Sequence, residues 1–317
     1  MRAVRYHDHG GPEVLTVEEV DRPDHDDDEI LVRVEAAAVN PVDTYFREGS
    51  YPIGGLPWTT GSDAAGIVES AGSETDFSAG DRVLATGLGN DHQGTCAEYV
   101  AVPEELATTL PKSVGFETAA AGALVGVTAW QTLVMTCDLD PAERVLIHGG
   151  SGGVGHIAVQ LAATVGADVT TTASPKYHNR LSEFGADDIL DYRRDDLKAA
   201  IEAAGEPNVI LDHRLDDYLP LDCRVADFGC QIAAIGNTDL EATFPSVPAA
   251  RAKALSVHHT SMFNTPETDT VLSRLARLYE RGDIEPVVAD TYDLEGVADA
   301  QVDVMNDSFF GKLVVVP

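Results

Sequence analysis

The sequence predicts an α/β fold in which a doubly wound parallel sheet is combined with a mostly β, barrel-like domain. Three observations carry that expectation. An apolar run at 145–147 is followed by five glycines within 149–155 and then by an apolar stripe: Val154, Ile157, Ala158, Leu161, Ala162 and Val165. From residue 145 onward, apolar runs of strand length alternate with helical patterns. Before about residue 122 the chain reads instead as short alternating runs punctuated by glycine. The first two patterns describe parallel strands with helices on both faces. The third describes a compact β domain.

In the N-terminal part Val4 and Tyr6 alternate with polar neighbours, and Leu15 and Val17 follow a Gly10-Gly11-Pro12 turn. Residues 29–39 form the best strand of this half, closed by Asn40-Pro41. A short segment at 42–48 and a Gly/Pro-rich stretch to Gly61 precede strands at 64–70, 82–86 and 97–102. Residues 117–129 are alanine-rich and helical, running on into 130–136. After the glycine turn, strands are expected at 168–172, 188–190, 208–211 and 231–235, with helices near 176–184 and at 196–204. Residues 268–280 make an amphipathic helix stopped at Arg281-Gly282, and 284–317 returns to strands around one helical turn.

Charge narrows the partners. The chain carries 53 acidic against 21 basic residues, a net charge of -32, so neither nucleic acid nor an anionic membrane surface is expected to bind it. The acids are spread along the whole chain, and only five basic residues are lysine. That pattern resembles a halophilic archaeal protein, whose acidic surface is screened by high salt. No run approaches the ~18 apolar residues of a membrane span. The N-terminus opens directly into a strand pattern with no apolar leader, so a cytoplasmic location is expected. Cys96, Cys137, Cys223 and Cys230 form no C-x-x-C and are expected to stay reduced.

Gly150, Gly152 and Gly155 fit G-x-G-x-x-G between a strand and a helix. One glycine allows the sharp turn, one the approach of a pyrophosphate, one close helix–strand packing. The helix N-terminus adds unpaired N–H groups and partial positive charge. Gly150, Ser151, Gly152, Gly153, Val154 and Gly155 are therefore candidate dinucleotide-binding residues. The second strand runs into Thr171-Thr172-Ala173-Ser174-Pro175-Lys176, which has no acid to bond a ribose 2′-OH but offers a hydroxyl and a lysine to a 2′-phosphate. One charge-assisted hydrogen bond contributes about 1.5–3 kcal/mol, or roughly 10- to 100-fold, so NADPH is expected over NADH. Gly236-Asn237 ends a later parallel strand, where ligands of such sheets sit. The ten histidines are scattered, and His258 and His259 would point to opposite faces of a strand. No Cys/His cluster supplies a zinc site, and no metal is expected.

Several further segments carry a resemblance. "AAAVNPVDTYFREGSYP" (36–52), "LPWTTGSDAAGIVESAG" (56–72), "GDRV" (80–83), "GTCAEYV" (94–100), "LVGVTAWQTL" (124–133), "HGGSGGVG" (148–155), "FGADDILDY" (184–192) and "FFGKLVVVP" (309–317) succeed one another along the chain. Together they resemble the zinc-independent quinone oxidoreductase (zeta-crystallin-like) branch of the medium-chain dehydrogenases/reductases. The resemblance implies a Rossmann doubly wound parallel sheet (123–284) inserted in a split, mostly β GroES-like barrel domain (1–122 plus 285–317). At the places where zinc enzymes of the wider family hold metal, this chain reads Asn40-Pro41-Val42-Asp43 and Gly61-Ser62-Asp63.

The resemblance further implies that Tyr192 packs near the 2′-phosphate and that Thr128 lines the nicotinamide region. It has Asn40 and Lys312 face the cofactor, and Phe263 and Asn264 contact the nicotinamide. Tyr45, in the block nearest the expected cleft, is the candidate catalytic acid or binding-wall aromatic. The implied activity is metal-free hydride transfer from NADPH to a small-molecule quinone or α,β-unsaturated carbonyl. A trans-2-enoyl-thioester reductase and an NADPH-binding protein of little turnover remain alternatives. A homodimer paired through an edge strand near 255–262 is also implied. One segment departs from the branch: His213-Arg214-Leu215-Asp216-Asp217 replaces a glycine-containing turn and reads as a loop.

Overall fold

Apolar residues on the inward faces of short strands build the N-terminal half, as in the burial of Ala3, Val4 and Tyr6 along the first strand. The computed structural model describes all residues, Met1–Pro317. The first strands and helices are β1 (Arg2–Tyr6), β2 (Thr16–Glu19), β3 (Glu29–Ala38), α1 (Pro41–Glu48), β4 (Trp58–Thr59), β5 (Asp63–Ala71), β6 (Arg82–Thr86), β7 (Tyr99–Pro103), β8 (Ala107–Thr109) and α2 (Phe116–Trp130). After them come β9 (Arg144–Ile147), α3 (Gly153–Val165), β10 (Asp168–Thr172), α4 (His178–Glu183), β11 (Asp188–Leu190), α5 (Leu197–Ala204), β12 (Val209–Asp212), α6 (Leu215–Val225), β13 (Gln231–Ala234), α7 (Val247–Ala252) and β14 (Ser256–His259). The chain ends with α8 (Thr268–Arg281), β15 (Val288–Tyr292), α9 (Val297–Asn306) and β16 (Lys312–Val315).

Two compact units result, Met1–Val127 with Pro266–Pro317, and Thr128–Thr265. In the first, a seven-stranded sheet of order β15-β16-β3-β5-β6-β8, with β7 also on β3, stands beside a three-stranded sheet β2-β1-β4. Ile30, Val32, Val34, Val68, Val83, Val100, Leu313 and Val315 fill its core. Strand register gathers polar residues at one end of this sheet. Ala38 at the end of β3 pairs with Asp63 of β5 and with Val314 of β16, so Asn40, Asp63 and Lys312 leave three neighbouring strands at one place.

The second unit is a six-stranded, fully parallel sheet of order β11-β10-β9-β12-β13-β14. Its order reverses on either side of β9, the doubly wound arrangement. Leu146, Ile201, Ile210, Leu219, Val225 and Ile232 are fully or nearly fully buried in its core.

Several elements differ from the sequence reading, among them α6 and α7, which it did not foresee. Helix α8, expected with the parallel sheet, belongs to the first unit, where the Tyr279 hydroxyl donates to Gly122 O at 2.8 Å. The C-terminal "helical turn" is the ten-residue helix α9, whose Val297 and Ala300 join the first core. The stretch Phe116–Thr136, with α2 passing into a π-helix, is long and apolar enough to cross a bilayer, against the expectation that no run is. Of its apolar window 78% is buried inside the protein, as in a core helix.

Candidate active site

In the parallel unit, every expected dinucleotide residue except Thr128 lies at the carboxyl edge of the sheet. Strand β9 ends at Ile147, and Gly149 turns the chain with a φ of +71°, a backbone region that suits glycine. A Cβ on Gly150 would stand 2.1 Å from Thr171 Oγ1, and one on Gly155 would stand 2.1 Å from Gly149 O. The loop is held shut by Gly150 N–H donating to Thr172 O at 2.9 Å and by Gly149 N–H donating to Thr172 Oγ1 at 3.0 Å. Helix α3 begins with Gly152 as its cap, and no side chain caps its first turn. Ser151, Gly152, Gly153 and Val154 are partly exposed there. This is a concave backbone cradle at a helix N-terminus, the geometry that receives a pyrophosphate.

Neighbouring strands deliver the rest. Thr172 pairs with Leu190, so Ser174 and Lys176 leave β10 beside the point where Tyr192 leaves β11. Ser174 opens a 3₁₀ turn, Pro175–Tyr177, and the exposed Lys176 carries its Nζ 4.5 Å from the Tyr177 ring centroid. Tyr192 is 44% exposed, with the Arg193 guanidinium 5.4 Å above its ring. Asp212 pairs with Ala234 and Ala234 with His259, which brings Gly236, Asn237 and the 3₁₀ turn of Met262–Asn264, with Phe263 and Asn264, to the same edge. Thr128 is buried within α2 rather than capping it. One turn later Thr132 Oγ1 meets Thr260 Oγ1 at 3.3 Å, just beyond β14.

The atypical segment is only partly a loop. Leu215, Asp216 and Asp217 already belong to α6, whose N–H of Leu215 donates to Gly236 O at 3.1 Å. The His213 ring occupies the space beside Gly149, where a Cβ would stand 2.8 Å from its Cε1. Burial first, then the neighbouring His148, pushes the His213 imidazole down to about 4, so it is neutral at pH 7.

In the first unit, α1 carries Tyr45. Its phenol is half-buried, set edge-on to Tyr51 with ring centroids 5.7 Å apart, and burial raises its pKa above the usual phenol value. It is therefore a hydrogen-bond donor at neutral pH. Arg47, 3% exposed, fixes the other end of the helix by donating to Gln301 Oε1 at 2.6 Å and Gly10 O at 3.0 Å.

The side chains of Asn40 and Lys312, expected to face a cofactor, bond each other, with Asn40 also on Asp63 and Lys312 also on Val39 O. Lys312 Nζ donates to Asn40 Oδ1 at 2.5 Å, and Asn40 Nδ2 donates to Asp63 Oδ2 at 2.8 Å. Sequence reasoning missed Asp63, Asp43, Ser62 and Thr86 as partners in this network. The available signal was a charged residue opening each of two apolar strands, Asp63 in β5 and Lys312 in β16. It also missed the buried His148–Asp222 pair of the second unit. No group of three or more His, Cys, Asp and Glu side chains is arranged to hold a metal ion.

Known proteins share this fold. Residues 26–112 match the family described as alcohol dehydrogenase GroES-like domain, and residues 184–315 that described as zinc-binding dehydrogenase. The chain is 31% identical over its whole length to the quinone oxidoreductase of Pongo abelii, 98% of which is covered. Its fold superposes on the Escherichia coli quinone oxidoreductase complexed with NADPH at a TM-score of 0.90 and 29% identity, both chains covered in full. An NAD-dependent alcohol dehydrogenase superposes at 0.93, again with 29% identity and both chains covered in full. The chain belongs to the quinone oxidoreductase-like family of the medium-chain dehydrogenases/reductases.

Proposed function

We propose that this protein is an NADPH-dependent oxidoreductase that transfers hydride to a quinone or an α,β-unsaturated carbonyl without a metal. The observation that carries the reading is the glycine cradle of 149–155 lying beside Ser174 and Lys176 at one sheet edge, with no acid from Thr171 to Lys176. The NADPH held by the Escherichia coli relative supports the same cofactor here. When bound, a nicotinamide supplies the hydride. The cradle residues Gly150–Gly155 would take the pyrophosphate on backbone N–H groups. Ser174, Lys176 and Tyr192 would hold the 2′-phosphate, and Gly236, Asn237, Phe263, Asn264 and Thr128 would serve the nicotinamide half. Without a Lewis acid, dehydrogenation of a simple alcohol loses several kcal/mol of charge stabilisation. An acceptor that delocalises the incoming charge avoids that loss, and the Tyr45 phenol is a donor suited to the oxygen on which the charge settles.

We read β14, the outermost strand of the parallel sheet, as the pairing edge of a homodimer. Sedimentation velocity checks it, with a single species of monomer mass counting against it. The main test is NADPH oxidation against a quinone panel, enones and crotonyl-thioesters side by side, with NADH run in parallel. Turnover is expected on quinones or enones. Turnover confined to thioesters, or with NADH alone, would replace the reading, and binding without oxidation would make the protein a cofactor-binding one.

A further inference from the structure

One family description names zinc, and the interior of the first unit answers it with different chemistry. Asn40, Asp43, Ser62 and Asp63 converge there, each between 0 and 2% exposed, around a Lys312 that is 3% exposed. Lys312 Nζ donates to Asn40 Oδ1 and Val39 O, both at 2.5 Å. Asn40 Nδ2 donates to Asp63 Oδ2 at 2.8 Å, and Asp63 Oδ1 accepts from Thr86 Oγ1 at 2.6 Å and Leu124 N–H at 2.9 Å. Asp43 accepts the Asn40 N–H at 2.8 Å on Oδ2 and the Ser62 hydroxyl at 2.6 Å on Oδ1. Every carboxylate oxygen of the cluster has a donor. A zinc ion needs three or four lone pairs converging at about 2.0–2.3 Å, and here an ammonium stands among them. These residues do not fit zinc.

We propose that Lys312 is the resident cation of this cluster, and that Asp63, acting through Asn40, is a positioning residue for helix α1 and its Tyr45. Asn40 immediately precedes the helix, and each of its polar groups is anchored by a different part of the fold. Its Oδ1 is tied to β16, its Nδ2 to β5, and its N–H to Asp43 of the helix itself. Thr86 of β6 and Leu124 of α2 hold Asp63 in turn. Two carboxyls face one ammonium. Burial raises both carboxyls, Asp43 to about 7, and lowers the Lys312 ammonium, while the charges of Asp63 and then Asp43 draw Lys312 back up. Asn40 bridges Lys312 to Asp63, and removing one of two opposite buried charges alone is more damaging than removing both.

The structural part stands without the proposed activity; only the effect on turnover rests on that reading. The test is a double-mutant cycle of Lys312→Met and Asp63→Asn, read by thermal melting at fixed salt and pH. Lys312→Met alone is expected to lower the melting temperature by about 8 °C or more, and adding Asp63→Asn to restore part of it. Losses that simply add would overturn the proposal. Should Lys312→Met fail to fold, a double variant that folds supports the pair, and one that also fails while Asp63→Asn folds refutes it. For positioning, Asp63→Asn is expected to lower kcat/KM for the acceptor at least 10-fold, with the NADPH dissociation constant within about 2-fold of wild type. An NADPH constant that weakens in step would return Asn40 and Lys312 to cofactor binding. A wild type inactive on every acceptor would remove the activity reading and leave the melting cycle intact.

Discussion

The imidazole of His148 hydrogen-bonds through Nε2 to Asp222 Oδ1 at 2.9 Å, while its ring lies flat on Tyr218, centroids 4.3 Å apart and planes 4° from parallel. Asp212, held by the Arg214 N–H at 2.7 Å, lies within hydrogen-bonding reach of Asp222, and each carboxyl keeps Oδ2 without a donor. His213, Arg214, Asp217, Tyr218, Cys223 and Cys230 are further titratable neighbours. Two buried carboxyls so close cannot both ionise, and a shared proton satisfies them. Burial, then Asp222, pushes Asp212 up to about 7, and burial pushes Asp222 up to about 8. Burial holds His148 down to about 4.

These shifts set the sign of the pH dependence. A carboxyl whose folded pKa exceeds its unfolded value binds more protons when folded. Its contribution is complete below about pH 4 and is lost as pH rises through about 7 to 8. His148 and His213 act oppositely: their contributions are lost as pH falls from 6.5 towards 4, which offsets the two carboxyls there, and are constant at higher pH. The melting temperature is therefore expected to fall between about pH 6.5 and 8.5. In Asp222→Asn, whose amide donates to Asp212 while its oxygen accepts from His148, that fall should at least halve. An equal fall in the variant would locate the titration elsewhere.

Two loop glycines separate packing from cofactor approach. A Cβ on Gly155 meets the Gly149 carbonyl at 2.1 Å, whereas one on Gly152 meets only that oxygen, at 3.3 Å. Gly155→Ala must push backbone against backbone, so melting should drop by several degrees and NADPH binding should weaken with it. Gly152→Ala should melt within about 2 °C of wild type and still bind NADPH at least 10-fold more weakly, because the methyl stands where the pyrophosphate approaches. Equal binding by Gly152→Ala and wild type in a fluorescence titration would remove the pyrophosphate from this loop.

The loop was legible because its signal is local. Strand, glycines and apolar stripe occupy adjacent residues, and the change from alternating to helical periodicity marks the parallel unit without any long-range information. Asn40 and Lys312 show the limit. They lie 272 positions apart, and that they meet each other depends on Ala38 pairing both Asp63 and Val314. Helix α8 failed in the same way. Its apolar stripe announces a buried face but not the neighbour, and Gly122 and Gly126 accept Leu275 and Tyr279 only because they lack a Cβ. His148 and Asp222, 74 positions apart, gave no pattern at all.

Tyr45 stands on a helix fixed at both ends, so removing its hydroxyl should leave the fold alone. Tyr45→Phe is expected to melt within about 2 °C of wild type, since the ring contact with Tyr51 survives. If the phenol donates to the developing charge, kcat should fall about 10² to 10⁴-fold with the acceptor KM little changed. An unchanged kcat assigns the ring to binding and the proton to solvent.

Salt should strengthen this fold. With 53 acidic residues against 21 basic, self-repulsion is the dominant long-range field, and exposed pairs such as Arg22–Glu69 at 3.3 Å offset little of it. At about 0.1 M ionic strength the screening length is ~10 Å, and at 1 M ~3 Å. We infer a salt-adapted surface, with a melting temperature that climbs by about 10 °C or more from 0.1 to 2 M KCl. A flat series would refute it.

We propose that cofactor choice turns on one exposed ammonium. Lys176 leaves β10 beside Tyr192 and lies on the surface over the Tyr177 ring, where truncating a side chain disturbs little packing. Lys176→Ala should therefore cost little stability while weakening NADPH by roughly 10- to 100-fold and leaving NADH nearly unchanged. The ratio of kcat/KM for the two cofactors is the measurement, because an effect on the shared parts of the dinucleotide cancels from it. High salt screens an exposed pair, so the series is run at two ionic strengths, with the larger discrimination at the lower. A ratio that Lys176→Ala leaves where it was would place the 2′-phosphate away from this lysine and return NADH as the cofactor to test.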